Sequence, residues 1–196
     1  GLDDRVILAP DTKNQKILET VEGRKTATAA AAGATPAGGL LICDGSKSYG
    51  SNDWAWDLMG NKNDGRVIAV DARGDTAKVL ASGLGYAFGA YTSDTTGTLV
   101  SESWNHAICR IANKSTQAVI DRLPGYPCRM ASAPDGGFWL SLFCSRTQLV
   151  EFVLKEDEYR AEMMDTIDPR YWISPSFGSG DDYLEPLQGG GVMQMG

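Results

Sequence analysis

The sequence predicts an all-β protein, a β-propeller of four-stranded blades, and three observations carry that expectation. First, 23 glycines and 8 prolines among 196 residues fall at short intervals between apolar runs, the punctuation of a many-turned β protein. Second, those runs alternate apolar with polar residues, the period of a strand with one buried face. Third, a polar pair leading into such a run recurs. It opens Gly65-Arg66-Val67-Ile68-Ala69-Val70-Asp71, Asn105-His106-Ala107-Ile108-Cys109-Arg110-Ile111 and Ser145-Arg146-Thr147-Gln148-Leu149-Val150-Glu151-Phe152, so that Val67, Ile108 and Leu149 are spaced 41 residues apart.

An earlier copy, Asp4-Arg5-Val6-Ile7-Leu8-Ala9, lies 61 residues before Val67, and a polar, aromatic-rich insertion over 46–63 accounts for the longer gap. Strands are expected over 65–71, 77–82, 87–92 and 98–102, then over 106–112, 117–121, 128–133 and 138–144. The turns between them are Asp94 to Gly97, Asn113 to Ser115, Pro124-Gly125-Tyr126-Pro127 and Pro134-Asp135-Gly136-Gly137. Four-stranded units at this period hide their apolar faces only against one another, as propeller blades do; a sandwich is the alternative. One segment breaks the pattern. Residues 155–165 read as a surface helix with Phe152, Tyr159 and Met163 on one stripe and Asp168-Pro169 as its stop. The stretch from Met193 to Gly196, after Gly189-Gly190-Gly191, reads as an unfinished connection.

Residues 1–196 form one propeller domain or part of one, since about 40 residues per blade supply three to four blades. Such an array has two uncovered blade faces. The expected partners are therefore the remainder of a longer chain or a second copy in a homodimer that pairs open faces.

Composition excludes other classes. Eighteen Lys and Arg against 25 Asp and Glu give a net charge of −7, with the cations scattered, which argues against a nucleic-acid partner. No apolar run is long enough to span a membrane, and the acidic start Gly1-Leu2-Asp3-Asp4 does not read as a signal peptide. Localisation stays open. Cys43, Cys109, Cys128 and Cys144 lack CxxC spacing and read as buried thiols rather than zinc ligands, with a disulfide as the alternative.

The candidate functional residues are few. Glu102, Trp104, Asn105 and His106 cluster between two strands, where His106 would serve as a general base oriented by the Glu102 carboxylate; a satisfied surface histidine is the plainer alternative. Ser101 and Ser103 flank Glu102 without a GxSxG elbow. Gly83-Leu84-Gly85-Tyr86-Ala87-Phe88-Gly89 precedes a strand and not a helix, so it is a turn and not a dinucleotide loop. Tyr49, Trp54, Trp56 and Met59 in the insertion would line a ligand pocket or form a packed lid. Tyr171, Trp172 and Phe177 make a second aromatic cluster, and Asp181, Asp182 and Glu185 read as a solvated turn rather than a cation site.

Several of these runs carry a family resemblance. Leu123-Pro124-Gly125-Tyr126-Pro127 followed by Asp135-Gly136-Gly137-Phe138-Trp139 resembles the LPGYPDNI and DGxFW pattern of the strictosidine synthase-like family. Leu99-Val100-Ser101-Glu102 is similar to its LVVSE strand, Gly83-Leu84 to its blade opening, and Ile42-Cys43-Asp44-Gly45-Ser46 to its FTDSS. The resemblance implies a six-bladed propeller related to gluconolactonases and paraoxonases, with a site at the mouth of the central channel. In the metal-dependent relatives, asparagines of the blade-opening motifs hold a divalent cation. Here Phe88 and Arg129 occupy those positions, so no metal and no other cofactor is expected. The acid/base glutamate of the Pictet-Spengler enzymes belongs to a last blade that no residue here matches.

The expected function is metal-independent binding or turnover of a small organic molecule at the channel mouth. Glu102 and His106 are the catalytic candidates, and Asp44, Tyr49, Trp54, Phe88, Trp104 and Arg129 the substrate-binding ones. A lyase or lactonase chemistry would use them; a calcium-dependent lactonase or esterase and a non-catalytic binding propeller are the alternatives.

Overall fold

A computed structural model describes residues 29–35, 38–73, 77–134, 136–175 and 191–195. Three antiparallel sheets follow one another along the chain. The first contains β1 (Ala29–Ala34), β2 (Leu40–Asp44), β3 (Gly65–Val70) and β4 (Ala77–Leu84) in sequence order. Between β2 and β3 lies α1 (Trp54–Gly60), preceded by a 3₁₀ turn. The second sheet is β5 (Ala87–Ser93), β6 (Gly97–Glu102), β7 (Ala107–Ala112) and β8 (Ser115–Ile120). The third is β9 (Gly125–Ser132), β10 (Phe138–Ser145) and β11 (Gly191–Met195), with α2 (Gln148–Lys155) and α3 (Asp157–Thr166) between its second and third strands. Each sheet is a simple meander, the layout of a propeller blade.

Alternation along the strands builds the core between the sheets. Leu41, Cys43, Val67, Ala81 and Leu84 of the first sheet meet Ala87, Ala90, Val100, Ala107 and Cys109 of the second. The neighbouring positions Leu99 and Ile108 face the other way, onto Phe138 and Leu140 of the third. The first strands of the three sheets are neighbours: β1 lies against β5 and β5 against β9. Ser101 fastens this inner row, accepting from the Gly89 amide at 2.8 Å and donating to the Cys128 carbonyl at 2.5 Å. Both it and Ser103, which donates to the Pro127 carbonyl, serve the backbone and are buried.

The all-β expectation holds and the strands fall where alternation placed them, but the sheets group them differently. A unit begins at Ala87 and not at Gly65, because β3 pairs back onto β2 across the insertion. The two-residue link Gly85-Tyr86 leaves the sheet plane instead of making a hairpin, with Tyr86 in the left-handed region at φ 58°. Periodicity reports the length of a repeat and not its phase.

Three local expectations are corrected. The run containing Leu149 is helix α2, not a strand: the Thr147 side chain caps it by accepting from the Val150 amide, and Val150 and Val153, three apart, are its buried face. The helix expected over 155–165 is α3, but its expected stripe is not formed: Phe152 belongs to α2, on the other side of the break at Glu156, and Phe152 and Tyr159 are exposed while Met163 is buried. Residues 191–195 are not an unfinished connection but strand β11, paired with β10 from Phe138↔Met195 to Leu142↔Gly191. The copy at Asp4 to Ala9, Phe177 and the acids Asp181, Asp182 and Glu185 lie outside the described residues.

Candidate functional site

Strand direction collects the chemistry at one end of the sheets. The links 85–86 and 121–124, the β6–β7 turn 103–106, the excursion after β2 and the helices after β10 all leave from that end. There Leu58 and Met59 of α1, Tyr126, Cys144, Val153, Met163 and Trp172 form one buried cluster, with Trp54, Trp56, Trp104 and Phe143 packed on it.

An aromatic wall runs through this cluster. Trp104 lies 4.4 Å from Tyr86, 6.1 Å from Trp54 and 6.0 Å from Tyr126, between ring centroids. Trp54 stands edge-on to Phe143 at 5.5 Å, and Phe88 lies 5.9 Å from Tyr86. Trp54, Phe88 and Trp104 are half-buried, so part of each ring faces outward. The indole N–H of Trp104 donates to Asp57 Oδ1 at 2.7 Å and fixes the ring. Asp57 is fully buried, and burial, opposed by the Ser46 and Trp104 hydrogen bonds, lifts its carboxyl above the usual range.

His106 closes the other side. Its ring stands edge-on to Tyr126 at 4.5 Å, and its backbone is left-handed at φ 49°. Nδ1 is 3.1 Å from the Gly125 carbonyl, which only accepts, so Nδ1 carries the proton and Nε2 is the basic nitrogen of the neutral ring. That nitrogen faces Glu151 Oε1 at 3.3 Å, while Glu151 Oε2 accepts from Arg146 at 2.5 Å. Tyr126 Oη and Glu151 Oε1 are buried with no hydrogen-bond partner among the described residues.

The carboxylate that faces the imidazole is therefore Glu151 and not Glu102. Glu102 Oε2 accepts from the Gly85 amide at 2.9 Å and from Asn105 Nδ2 at 2.7 Å, a strut between two loops. Asp44 is likewise occupied, fully buried and bonded to Arg66 Nε at 2.7 Å. Tyr49 is half-buried in the turn that Ser46 closes. Arg129 is exposed on the inner strand β9, where its backbone abuts Gly89. The structure thus joins Trp54, Phe88, Trp104 and His106 through Tyr86 and Tyr126, holds Asp44 and Glu102 in contacts of their own, and sets Arg129 on the strand beside Phe88.

Sequence reasoning missed Asp57, Tyr86, Tyr126, Arg146 and Glu151. A signal existed for the tyrosines: Gly85-Tyr86 and Gly125-Tyr126 each lead into or open the first strand of a sheet. Glu151 was hidden by reading helix α2 as a strand. All four cysteines are buried and free, and burial pushes the thiols of Cys109, Cys128 and Cys144 up to about 12, so none is a nucleophile at neutral pH. Among the described residues no three His, Cys, Asp or Glu side chains gather as metal ligands, and no helix is long and apolar enough to cross a membrane.

Burial first, and then the charge of Arg146, hold His106 below its ordinary value of 6.5, against the pull of Gly125 and Glu151. Folding thus favours the neutral ring. This contribution is complete above pH 6.5 and is lost as pH falls from there to the lower folded value. Burial pushes Glu151 up, but Arg146 and His106 outweigh it, so its share persists above 4.5 and is lost only as pH falls through its own lower value. Urea unfolding at pH 8, 6 and 5 is expected to show stability falling across this interval. His106→Asn, which tolerates the left-handed backbone, should flatten the dependence just below pH 6.5; an unchanged slope would contradict it.

The chain is similar to known proteins over part of its length. A model of the strictosidine synthase family matches residues 34–119. Protein STRICTOSIDINE SYNTHASE-LIKE 6 of Arabidopsis thaliana is 24% identical over 186 residues, covering 93% of this chain and 47% of that protein. STRICTOSIDINE SYNTHASE-LIKE 7 of the same plant is 27% identical over 146 residues, 73% of this chain and 39% of the relative. The chain therefore spans about half the length of these relatives, or less. A solved luciferin-regenerating enzyme aligns over 57% of this chain and 38% of its own, with 18% identity and a TM-score of 0.41.

Proposed function

Because the chain is strictosidine synthase-like in sequence, we propose that it binds a small organic molecule against the half-buried rings of Trp54, Phe88 and Trp104 and acts on it through the His106–Glu151 pair. One observation carries this reading: Tyr126 packs Trp104 and His106 alike, so the aromatic wall and the titratable pair are one structure. Large, flat rings supply contact area at low entropic cost, and the basic Nε2 of the neutral imidazole, facing the undonated Oε1 of Glu151, gives a proton taken from the ligand a place between the two groups. Glu151, fixed by Arg146, would stabilise the imidazolium that forms. The positive φ of His106 fits the same role, since a non-glycine residue held there costs free energy that packing must offset.

The test is a screen of lactones, esters and amine plus aldehyde pairs, followed by variants of the best compound's site. Trp104→Ala is expected to weaken binding by tenfold or more. His106→Asn and Glu151→Gln should lower kcat by roughly 10²–10⁴-fold, the usual worth of a general base, whereas Glu102→Gln should leave it near the parent value. Activity that survives His106→Asn but not Glu102→Gln would reverse the assignment.

A further inference from the structure

At the opposite end of the sheets lies a second concavity that the proposed activity does not use. It is a groove of about 490 Å³ between the first and second sheets, formed by Lys78, Val79 and Leu80 of β4, Thr98 of β6 and 111–114 at the β7–β8 hairpin. These positions are at the start of β4 and β6 and the end of β7, whereas the aromatic wall is at the other termini of the same strands. The volume is in the range of organic-ligand sites.

Its chemistry is two-sided. Leu80 and Ile111 are half-buried, pack on the core between the two sheets and give an apolar floor, while Val79 borders the groove with its side chain packed on the other face of the first sheet. Lys78 and Lys114 are exposed on its lining, with Thr98 and Asn113 as polar neighbours, and among the described residues no carboxylate lines it although the chain as a whole carries a net charge of −7. Neither lysine makes an ion pair with a described residue. The hairpin adds an independent sign. Asn113 and Lys114 are its two central residues, between the paired Ala112 and Ser115, and both are left-handed at φ 51° and 65°. Such turns favour glycine at the second position, and here a lysine occupies it, so the backbone accepts strain in holding a cation at the groove.

We propose that this groove binds an amphipathic organic anion, a carboxylic acid with an apolar tail, the tail on Leu80 and Ile111 and the carboxylate between Lys78 and Lys114. Charge complementarity selects this occupant: an ammonium-headed molecule of the same shape would meet two like charges.

Calorimetric titration of the whole chain with decanoate, below its micellar concentration, tests this. Binding is expected to weaken tenfold or more in Lys78→Glu with Lys114→Glu and to fall with added salt, while decyltrimethylammonium should neither bind nor compete. Lys114→Gly separates function from folding: it should raise the melting temperature by relieving the hairpin and still weaken decanoate. Trp54→Ala with Trp104→Ala should leave decanoate binding unchanged. Absence of decanoate binding, equal binding by the lysine variants, or loss of it in the tryptophan variants would each overturn the proposal.

Discussion

Gly89→Ala is expected to destabilise the protein by about 3 kcal/mol or more, the upper end for overpacking. A Cβ at this position would stand 2.3 Å from the Cys128 carbonyl oxygen and 2.9 Å from Arg129 Cα, both backbone atoms of β9. No side chain can swing away to relieve that contact. The only relief is to part β5 from β9, which also pulls Ser101 from the Gly89 amide and the Cys128 carbonyl. In a chain of this size the loss corresponds to a fall in melting temperature on the order of 6–12 °C. Gly97→Ala is the control. Gly97 has φ 69° with nothing near its missing side chain, so that change introduces backbone strain alone and should cost only roughly 1 kcal/mol.

Asp44→Ala should cost about 3–5 kcal/mol, the usual result of stripping one partner from a buried ion pair. Arg66 is 2% exposed and Asp44 fully buried, with 2.7 Å between guanidinium and carboxylate, so the charge left behind has no solvent to turn to. Replacing both residues together, Asp44→Leu with Arg66→Met, should recover most of that loss, because apolar neighbours do not require a charge pair. Recovery is the informative half of the experiment. A double variant as unstable as the single one would mean that the pair contributes through contacts other than its charge.

These two residues show where the sequence could and could not be read. Alternation around Val67, Val100 and Ile108 located the strands, because a sheet buried between neighbours must place every second residue in a core. Phase was beyond that reasoning, since the second sheet begins where a short link leaves the plane at Tyr86, a property of one dihedral angle. The helix at 148–155 was misread because Leu149, Val150 and Phe152 fit a strand as well as a helix over so short a run; the Thr147 cap was the deciding feature. For the site, Trp54, Phe88, Trp104 and His106 were legible as aromatic and titratable residues near loops. Their assembly was not, because Glu102 and Asp44 look chemically available in a sequence and only the fold reveals that Gly85, Asn105 and Arg66 already use them.

The most direct measurement of the loop-end site is the indole N–H spectrum of the protein, recorded by NMR during titration with the best compound from the screen. Trp54 and Trp104 lie in the wall, whereas Trp139 is 39% exposed on β10 and not part of the cluster. The expected result is a saturable shift of the Trp54 and Trp104 signals with Trp139 unmoved, abolished by Trp104→Ala and altered in its pH dependence by His106→Asn. A compound that is bound or turned over while both wall signals stay still would contradict binding at the aromatic wall.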